Sequence, residues 1–543
     1  MGQIDFSISH RIMAEAREQG LRHFFGLPGG GVPLEMIDAG HRAGIDFVSV
    51  AHESSAAIMA GYYGLMKGTA GLALAIRGVG AGNLAGGIVN AFFERLPLIA
   101  VCEVNPASWG NWTGVQHCDQ NSLFAGIAKL QADLGASNVE ALMRDAFRVA
   151  AEGRPGPVVL SFPSDAEAIA DRKYVPASGS PRQPQPAGDL QAARDFLARC
   201  SRPVVIAGGD IIRGHAIREL RDLVEAVGAA VLVTMEARGV FPESHPRWAG
   251  VLVGMFNQNV IETRVLDQAD GALIAGVDAA MTHGPWKHAI PCCELTAWGG
   301  YRSLHPSPAV RVSGDLKSML RSLTPFMRPG FAESDVRQLR ENILRFFRRP
   351  PGARFAAHDV IEITRRLLPA DGILFSETGA YISLLEHLWL VDKPGTYFGT
   401  SGGRTMGLTL PAAIGARLAD LATPMVGIGG DGSLLMRMGE LETMARTGAA
   451  FPLVVINDQA LGTIKWRQKS RGFANHGLDL HPVDFVAVAA ACGLHGVMAQ
   501  TPEEFESALG AALRSGRATL IDARVDPEAY QDGFGSTIGL VNA

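Results

Sequence analysis

Cysteine is scarce in this chain, and what there is follows no pattern. The six cysteines, Cys102, Cys118, Cys200, Cys292, Cys293 and Cys492, show no CxxC and no His-paired metal spacing. That excludes a disulfide scaffold or zinc ribbon and points to reduced, mostly buried thiols in a cytoplasmic protein. Long apolar runs are also missing. The candidates are broken by Lys67, Arg77, Glu94 and Arg95, so no membrane span is expected. Positive charge is not in excess. The net charge is −5 with no basic stripe, which argues against a nucleic-acid partner. The opening MGQIDFSISH lacks a basic segment and an apolar segment, so no signal peptide is expected. No GxGxxG with a following ribose-binding acid occurs, which weakens a nicotinamide- or flavin-dependent oxidoreductase reading.

What is present is glycine and alternation. At 543 residues the chain exceeds one hydrophobic core, and its 64 glycines suit an α/β enzyme that binds ligands at strand ends. Strand-like runs alternate with helical patterns almost throughout, which predicts parallel α/β layers. The pattern predicts strands at 47–50, 72–76, 204–207, 271–275, 425–428 and 452–456. Two breaks divide the chain. Residues 176–188, PASGSPRQPQPAG, form a proline-rich linker, and 347–353, FRRPPGA, follow a charged helical segment. The expected domains are 1–175, 189–330 and 355–543.

The densest chemical signal is Gly430-Asp431-Gly432-Ser433 after an apolar run, with Asn457-Asp458 at the end of a second such run. Asp458 lies 27 residues beyond Asp431, the length of a turn, a helix and a buried strand. Two hard oxygen ligands at neighbouring strand ends suit one divalent cation. A glycine turn at a helix N-terminus beside that cation suits a diphosphate. Taken alone, Gly-Asp-Gly-Ser is also an ordinary surface turn. Glu53 ends the strand-like run FVSVA, where open sheets place ligands. On residue type alone it reads more readily as a capping acid of the helix that Ser54-Ser55 begins.

The GDG block with Asn457-Asp458 resembles the diphosphate- and magnesium-binding motif of thiamine-diphosphate enzymes. FGLPGGGV, AHESSAA, GVGAGN, FFERLPLIAV, VQHCDQ and TSGGRTMGLTLPAAIGA are similar, in the same order, to the acetolactate synthase and pyruvate oxidase branch of that family. The resemblance implies an α/β fold of three consecutive Rossmann-like parallel-sheet domains. The first would bind the pyrimidine and the last the diphosphate. It implies thiamine diphosphate and Mg²⁺ as cofactors. Asp431, Asp458 and the Ala460 carbonyl would be metal ligands, and Glu53 the carboxylate that activates the aminopyrimidine. Met406 stands where a bulky residue wedges between the cofactor rings, and Arg404 where a backbone carbonyl meets the 4′-amino group. Gly379, Ala380 and Tyr381 match the diphosphate-contacting turn without its usual Gln-His, so only backbone contacts carry over. Gly430, Gly432, Ser433, Gly462, Thr463 and Ile464 complete the cofactor wall, and Asn83 and Gln116 match pyrimidine-side positions.

Several positions depart from the family pattern. Arg77 stands where relatives have a small polar residue. It reads either as an anchor for an anionic substrate or as a salt-bridged loop arginine. His117 is a second proton-transfer candidate or a surface imidazole. Arg404 reads as reaching solvent or substrate. Ile464 replaces the glutamate of pyruvate-decarboxylase-like enzymes, which favours carboligation over aldehyde release. GVDAAMTHGPW replaces the arginine-bearing segment of flavin-containing synthases, which argues against bound FAD. The implied activity is cleavage of a small 2-keto acid with carboligation of the enamine to an acceptor. The site would lie between two chains of a homodimer or homotetramer. The alternatives are a non-carboligating decarboxylase acting on an anionic substrate and a non-catalytic cofactor-binding subunit.

Overall fold

A computed structural model describes residues 7–110, 112–166, 188–254, 260–284, 286–298, 304–324, 330–420 and 422–529. Of the expected linker 176–188, all but Gly188 lies outside the described residues. Three six-stranded sheets follow one another along the chain. The first contains β1 (His23–Gly26), β2 (Asp46–Ser49), β3 (Gly71–Ala75), β4 (Leu98–Val104), β5 (Leu130–Asp133) and β6 (Pro157–Pro163), in the order β2-β1-β3-β4-β6-β5. The second contains β7 (Pro203–Ala207), β8 (Ala230–Val233), β9 (Trp248–Val251), β10 (Gly271–Ala275), β11 (Cys292–Thr296) and β12 (Val310–Ser313), in the order β12-β11-β10-β7-β8-β9. The third contains β13 (Ile373–Ser376), β14 (Tyr397–Phe398), β15 (Met425–Gly430), β16 (Pro452–Asn457), β17 (His495–Ala499) and β18 (Thr519–Arg524), in the order β14-β13-β15-β16-β18-β17.

The strands pair in parallel, and the central ones are buried along their whole length, as in β3, β7 and β10. Helices cover both faces, so these strands read as unbroken apolar runs rather than alternating ones. Only the central sheet has the Rossmann order. The first and third share a different one, so one plan occurs twice with a related plan between. Each order reverses at a switch point where ligands bind beyond the strand ends. These points lie between β1 and β3, between β7 and β10, and between β13 and β15.

One helix ties the first domain to the third. Glu53–Lys67 is buried at every residue from Glu53 to Gly64. It lies between helix Val79–Phe93 and helix Thr409–Ala419, and glycine permits both approaches. A Cβ at Gly87 would sit 2.3 Å from the Ser54 carbonyl oxygen, and one at Gly415 would sit 2.2 Å from that of Met59. Tyr62 packs edge-on against Phe375 and Phe398 of the third domain, and burying one such large side chain contributes about 1.5–3 kcal/mol. The helix ends at Gly68, whose φ of +71° makes a left-handed cap.

Candidate active site

At the β13/β15 switch point lies a cavity of about 160 Å³. Gly379, Ala380 and Tyr381 reach it from the turn after β13, and Gly430, Asp431, Gly432 and Ser433 from the end of β15. Asp458, Ala460, Gly462, Thr463 and Ile464 follow β16, and Met406 closes one side. The Gly-Asp-Gly-Ser segment is no free surface turn. Gly430 ends the strand and Asp431 opens helix Asp431–Arg437. Asp431 accepts from the Gly432 amide at 2.6 Å and from the Gln459 amide at 2.7 Å. Asp458 accepts from the Ala460 amide at 3.2 Å. Gln459 turns between them at a left-handed φ of +57°.

Burial pushes the Asp431 carboxyl up to about 6. Burial, then the charge of Asp431, push Asp458 up to about 7. Two buried carboxylates, each raised chiefly by burial, form a donor set that fits a hard divalent cation. Among the described residues no cluster of three or more His, Cys, Asp or Glu side chains could hold a metal. An ion here would therefore complete its shell from backbone oxygen and from a bound ligand. The glycine-flanked helix start beside it fits a diphosphate.

Three glutamates that the motifs did not single out hold this region together. Glu377, just after β13, accepts from the amides of Leu408, Thr409 and Gly430, and from the Ser433 hydroxyl. Burial pushes it up to about 7 against those bonds. Glu94 of the first domain accepts from the amides of Ser401 and Gly403 and from the Thr400 hydroxyl, fixing the loop that carries Arg404 and Met406. Glu440 accepts from the amides of Ala51 and His52 at 3.2 Å, next to Glu53. The available signal was an acid at a strand or helix end inside an otherwise apolar motif, as in FFERLPLIAV.

Glu53 is 5% exposed and is the first residue of its helix. The cap is His52, whose Nδ1 accepts from the Ser54 amide at 3.2 Å, so Glu53 is not the capping acid. Its carboxylate instead accepts from Asn83 Nδ2 at 3.0 Å. Beyond β3, Arg77, Gln116 and His117 line a second cavity of about 360 Å³. Arg77 donates to Glu103 at 2.7 Å, and Glu103 is almost fully buried. Gln116 has a left-handed φ of +62°, and His117 lies 2.9 Å from the Asn105 amide nitrogen. The Arg404 side chain stays partly exposed and has a partner within the fold. It pairs with buried Glu386 at 3.3 Å from a backbone φ of +44°. Within one chain the two cavities share no lining residue, and Glu53 lines neither.

At the central switch point, Arg154 of the first domain fills the crevice. It donates to Asp210 at 2.9 Å and meets Asp278 at 3.2 Å, and it is 3% exposed. Arg95 reaches Asp278 at 2.7 Å. Among the described residues no helix is long and apolar enough to cross a membrane.

Three family models match the chain in succession. They are the thiamine pyrophosphate enzyme N-terminal TPP-binding domain over residues 7–123, the central domain over 190–323, and the C-terminal TPP-binding domain over 377–523. The chain is 29% identical to the acetolactate synthase isozyme 3 large subunit of Escherichia coli (strain K12), over 94% of this chain and 93% of the relative. It is 26% identical to the probable acetolactate synthase large subunit of Methanocaldococcus jannaschii, over 95% and 91% of the two chains. It is 27% identical to the acetolactate synthase of Bacillus subtilis (strain 168), over 95% and 92%. With three sheets in family order and an acidic glycine turn at the third switch point, the chain belongs to the thiamine-diphosphate-dependent enzymes.

Proposed function

We propose that this enzyme, with thiamine diphosphate and Mg²⁺, cleaves a small 2-keto acid and joins the acyl unit to an acceptor carbonyl, as an acetolactate synthase does. The observation that carries this reading is the Asp431/Asp458 pair in a glycine-walled cavity, in a chain similar over nearly its whole length to acetolactate synthases. Bound thiamine diphosphate supplies an electron sink for the carbanion left when the bond beside the keto group breaks. Asp431, Asp458 and the Ala460 carbonyl would hold the cation, and the amides at Gly430–Ser433 would bind the diphosphate. Gly379–Tyr381 would contribute backbone contacts, Met406 would support the bent cofactor, and the Arg404 carbonyl would accept from its amino group. Glu53, held by Asn83, shares a proton with the pyrimidine nitrogen, and Gln116 and His117 border the same half of the site.

Gly462, Thr463 and Ile464 line the cavity and would border the reacting end of the bound cofactor. Ile464 carries no proton to give, so protonation to a free aldehyde is disfavoured and attack on a second carbonyl is favoured. Glu103 already neutralises Arg77, which counts against the decarboxylase of anionic substrates. Arg154 fills the central crevice, so FAD forms no part of this reading.

Each site is completed by two chains of a homodimer or homotetramer in a cytoplasmic setting. Apolar side chains lie bare beside both half-sites: Val79 (68% exposed) and Val115 (81%) near the first, Met436 (54%) and Ile464 (44%) near the second. The test is to supply pyruvate with thiamine diphosphate and Mg²⁺ and identify the products. Acetolactate with one CO₂ per two pyruvate is expected. Acetaldehyde would establish the simple decarboxylase, and no CO₂ from any 2-keto acid in a panel would refute the proposal. Glu53→Gln should bind cofactor yet lose about 100-fold or more in turnover. Full activity in that variant would remove the role given to Glu53.

A further inference from the structure

Glu377 is 2% exposed and does not line the cavity. It nevertheless joins two separate parts of the cavity wall. One carboxylate oxygen accepts from Leu408 at 2.6 Å and Thr409 at 3.2 Å, and the other from Gly430 at 3.3 Å. Leu408 and Thr409 come directly after Met406-Gly407, and Gly430 directly precedes Asp431. The reach from β13 to β15 depends on bare backbone. A Cβ at Gly429 would sit 2.6 Å from the carboxylate. The Met406 strap is also held from below. Gly407 turns at φ +71°, and a Cβ there would come within 2.8 Å of Arg437 Cγ.

We infer that Glu377 is a positioning residue for the cofactor. By bonding the Leu408, Thr409 and Gly430 amides to one carboxylate, it sets the spacing between Met406 and Asp431 on which tight thiamine diphosphate binding depends. This rests on the reading of the cavity given under Proposed function. A carboxylate offers two acceptor oxygens to these amides, and the bonds are charge-assisted. Glutamine offers one oxygen, and its NH₂ would face an amide hydrogen. Glu377→Gln therefore frees one side of the strap with almost no change in volume.

The experiment is calorimetric titration of the cofactor-free full chain with thiamine diphosphate at saturating Mg²⁺. Loss of a residue that orients ligating groups weakens binding by about 10-fold or more, and that rise in Kd is expected for Glu377→Gln. The KM for the keto acid at saturating cofactor should stay at the wild-type value, because Glu377 lies outside the cavity. Gly407→Ala pushes the same strap from the other side and should raise Kd similarly. Thr501→Ala removes the cap of helix Pro502–Ser515, away from the cavity, and should lower Tm without changing Kd. An unchanged Kd in Glu377→Gln overturns the inference, whatever its Tm. So does an equal rise in Thr501→Ala. If Glu377→Gln fails to fold, an unchanged Kd in Gly407→Ala overturns it. A wild-type chain that binds no thiamine diphosphate overturns the cavity reading itself.

Discussion

At the scale of single residues, Asp431 and Asp458 show what the proposed cation site costs an unliganded protein. Both carboxyls are raised above the ordinary aspartate value, to about 6 and about 7, chiefly by burial. A raised carboxyl means that the folded state holds its proton more tightly than the unfolded state does. The pair's contribution to folding is therefore fully present below the ordinary aspartate value of about 4, and it is lost as the pH rises from there through 6 to 7 and the pair ionises. A bound cation cancels the penalty only where the pair is ionised. Mg²⁺ should accordingly raise Tm more at pH 8 than at pH 5.5, and the cation-free protein should be the more stable at pH 5.5 as far as this pair is concerned. Thermal melts with and without Mg²⁺ at the two pH values check this, and equal stabilisation at both would count against the pair as ligands. Asp431, Asp458 and Glu53 were legible because each sits at a strand end in a spaced motif. The directions of Arg77 and Arg404 were not legible. Their partners, Glu103 and Glu386, are 26 and 18 residues away and are brought close only by the fold.

At the scale of elements, the seam around helix Glu53–Lys67 decides how closely the first and third domains approach. Gly415→Ala would force a methyl group to within 2.2 Å of the Met59 carbonyl. We predict a loss of about 1–3 kcal/mol from this overpacking, measured by chemical denaturation. Gly82, inside helix Val79–Phe93, has open space around its Cα. Gly82→Ala should instead be neutral or stabilise by up to about 1 kcal/mol. Strands buried on both faces were readable because they are continuous apolar runs, as in Val204–Ala207 and Gly271–Ala275. β5 (LQAD), β12 (VRVS) and β17 (HGVMA) were not singled out. They are sheet-edge or half-exposed strands without such a run, and the buried β6, β11 and β18 were not singled out either. The sheet orders were not legible either, because pairing joins strands far apart in sequence. That is why one repeated plan on paper is two different orders in space.

At the scale of the whole molecule, ion pairs and glutamate clamps fasten the domains. Arg154 crosses from the first domain to Asp210 and Asp278 of the second, and Asp210 is fully buried. Arg154→Ala would leave Asp210 to Arg213 and Asp278 to Arg95 alone, and the lost charged hydrogen bonds should cost about 1–3 kcal/mol, seen as a lower Tm. A domain seam that is fastened elsewhere would show little change. The larger question is how Glu53 meets Asp431 and Asp458, since in one chain Glu53 does not line the cavity that those aspartates border. If two chains complete each site, Glu53→Gln and Asp458→Ala should rescue each other. Co-expressed with different tags and purified as the doubly tagged hybrid, each dimer would have one intact site out of two. The measurement is the turnover of that hybrid. We predict roughly half the wild-type activity per dimer, with each parent variant nearly inactive. A hybrid as inactive as its parents would contradict the account and place both halves of the site within a single chain.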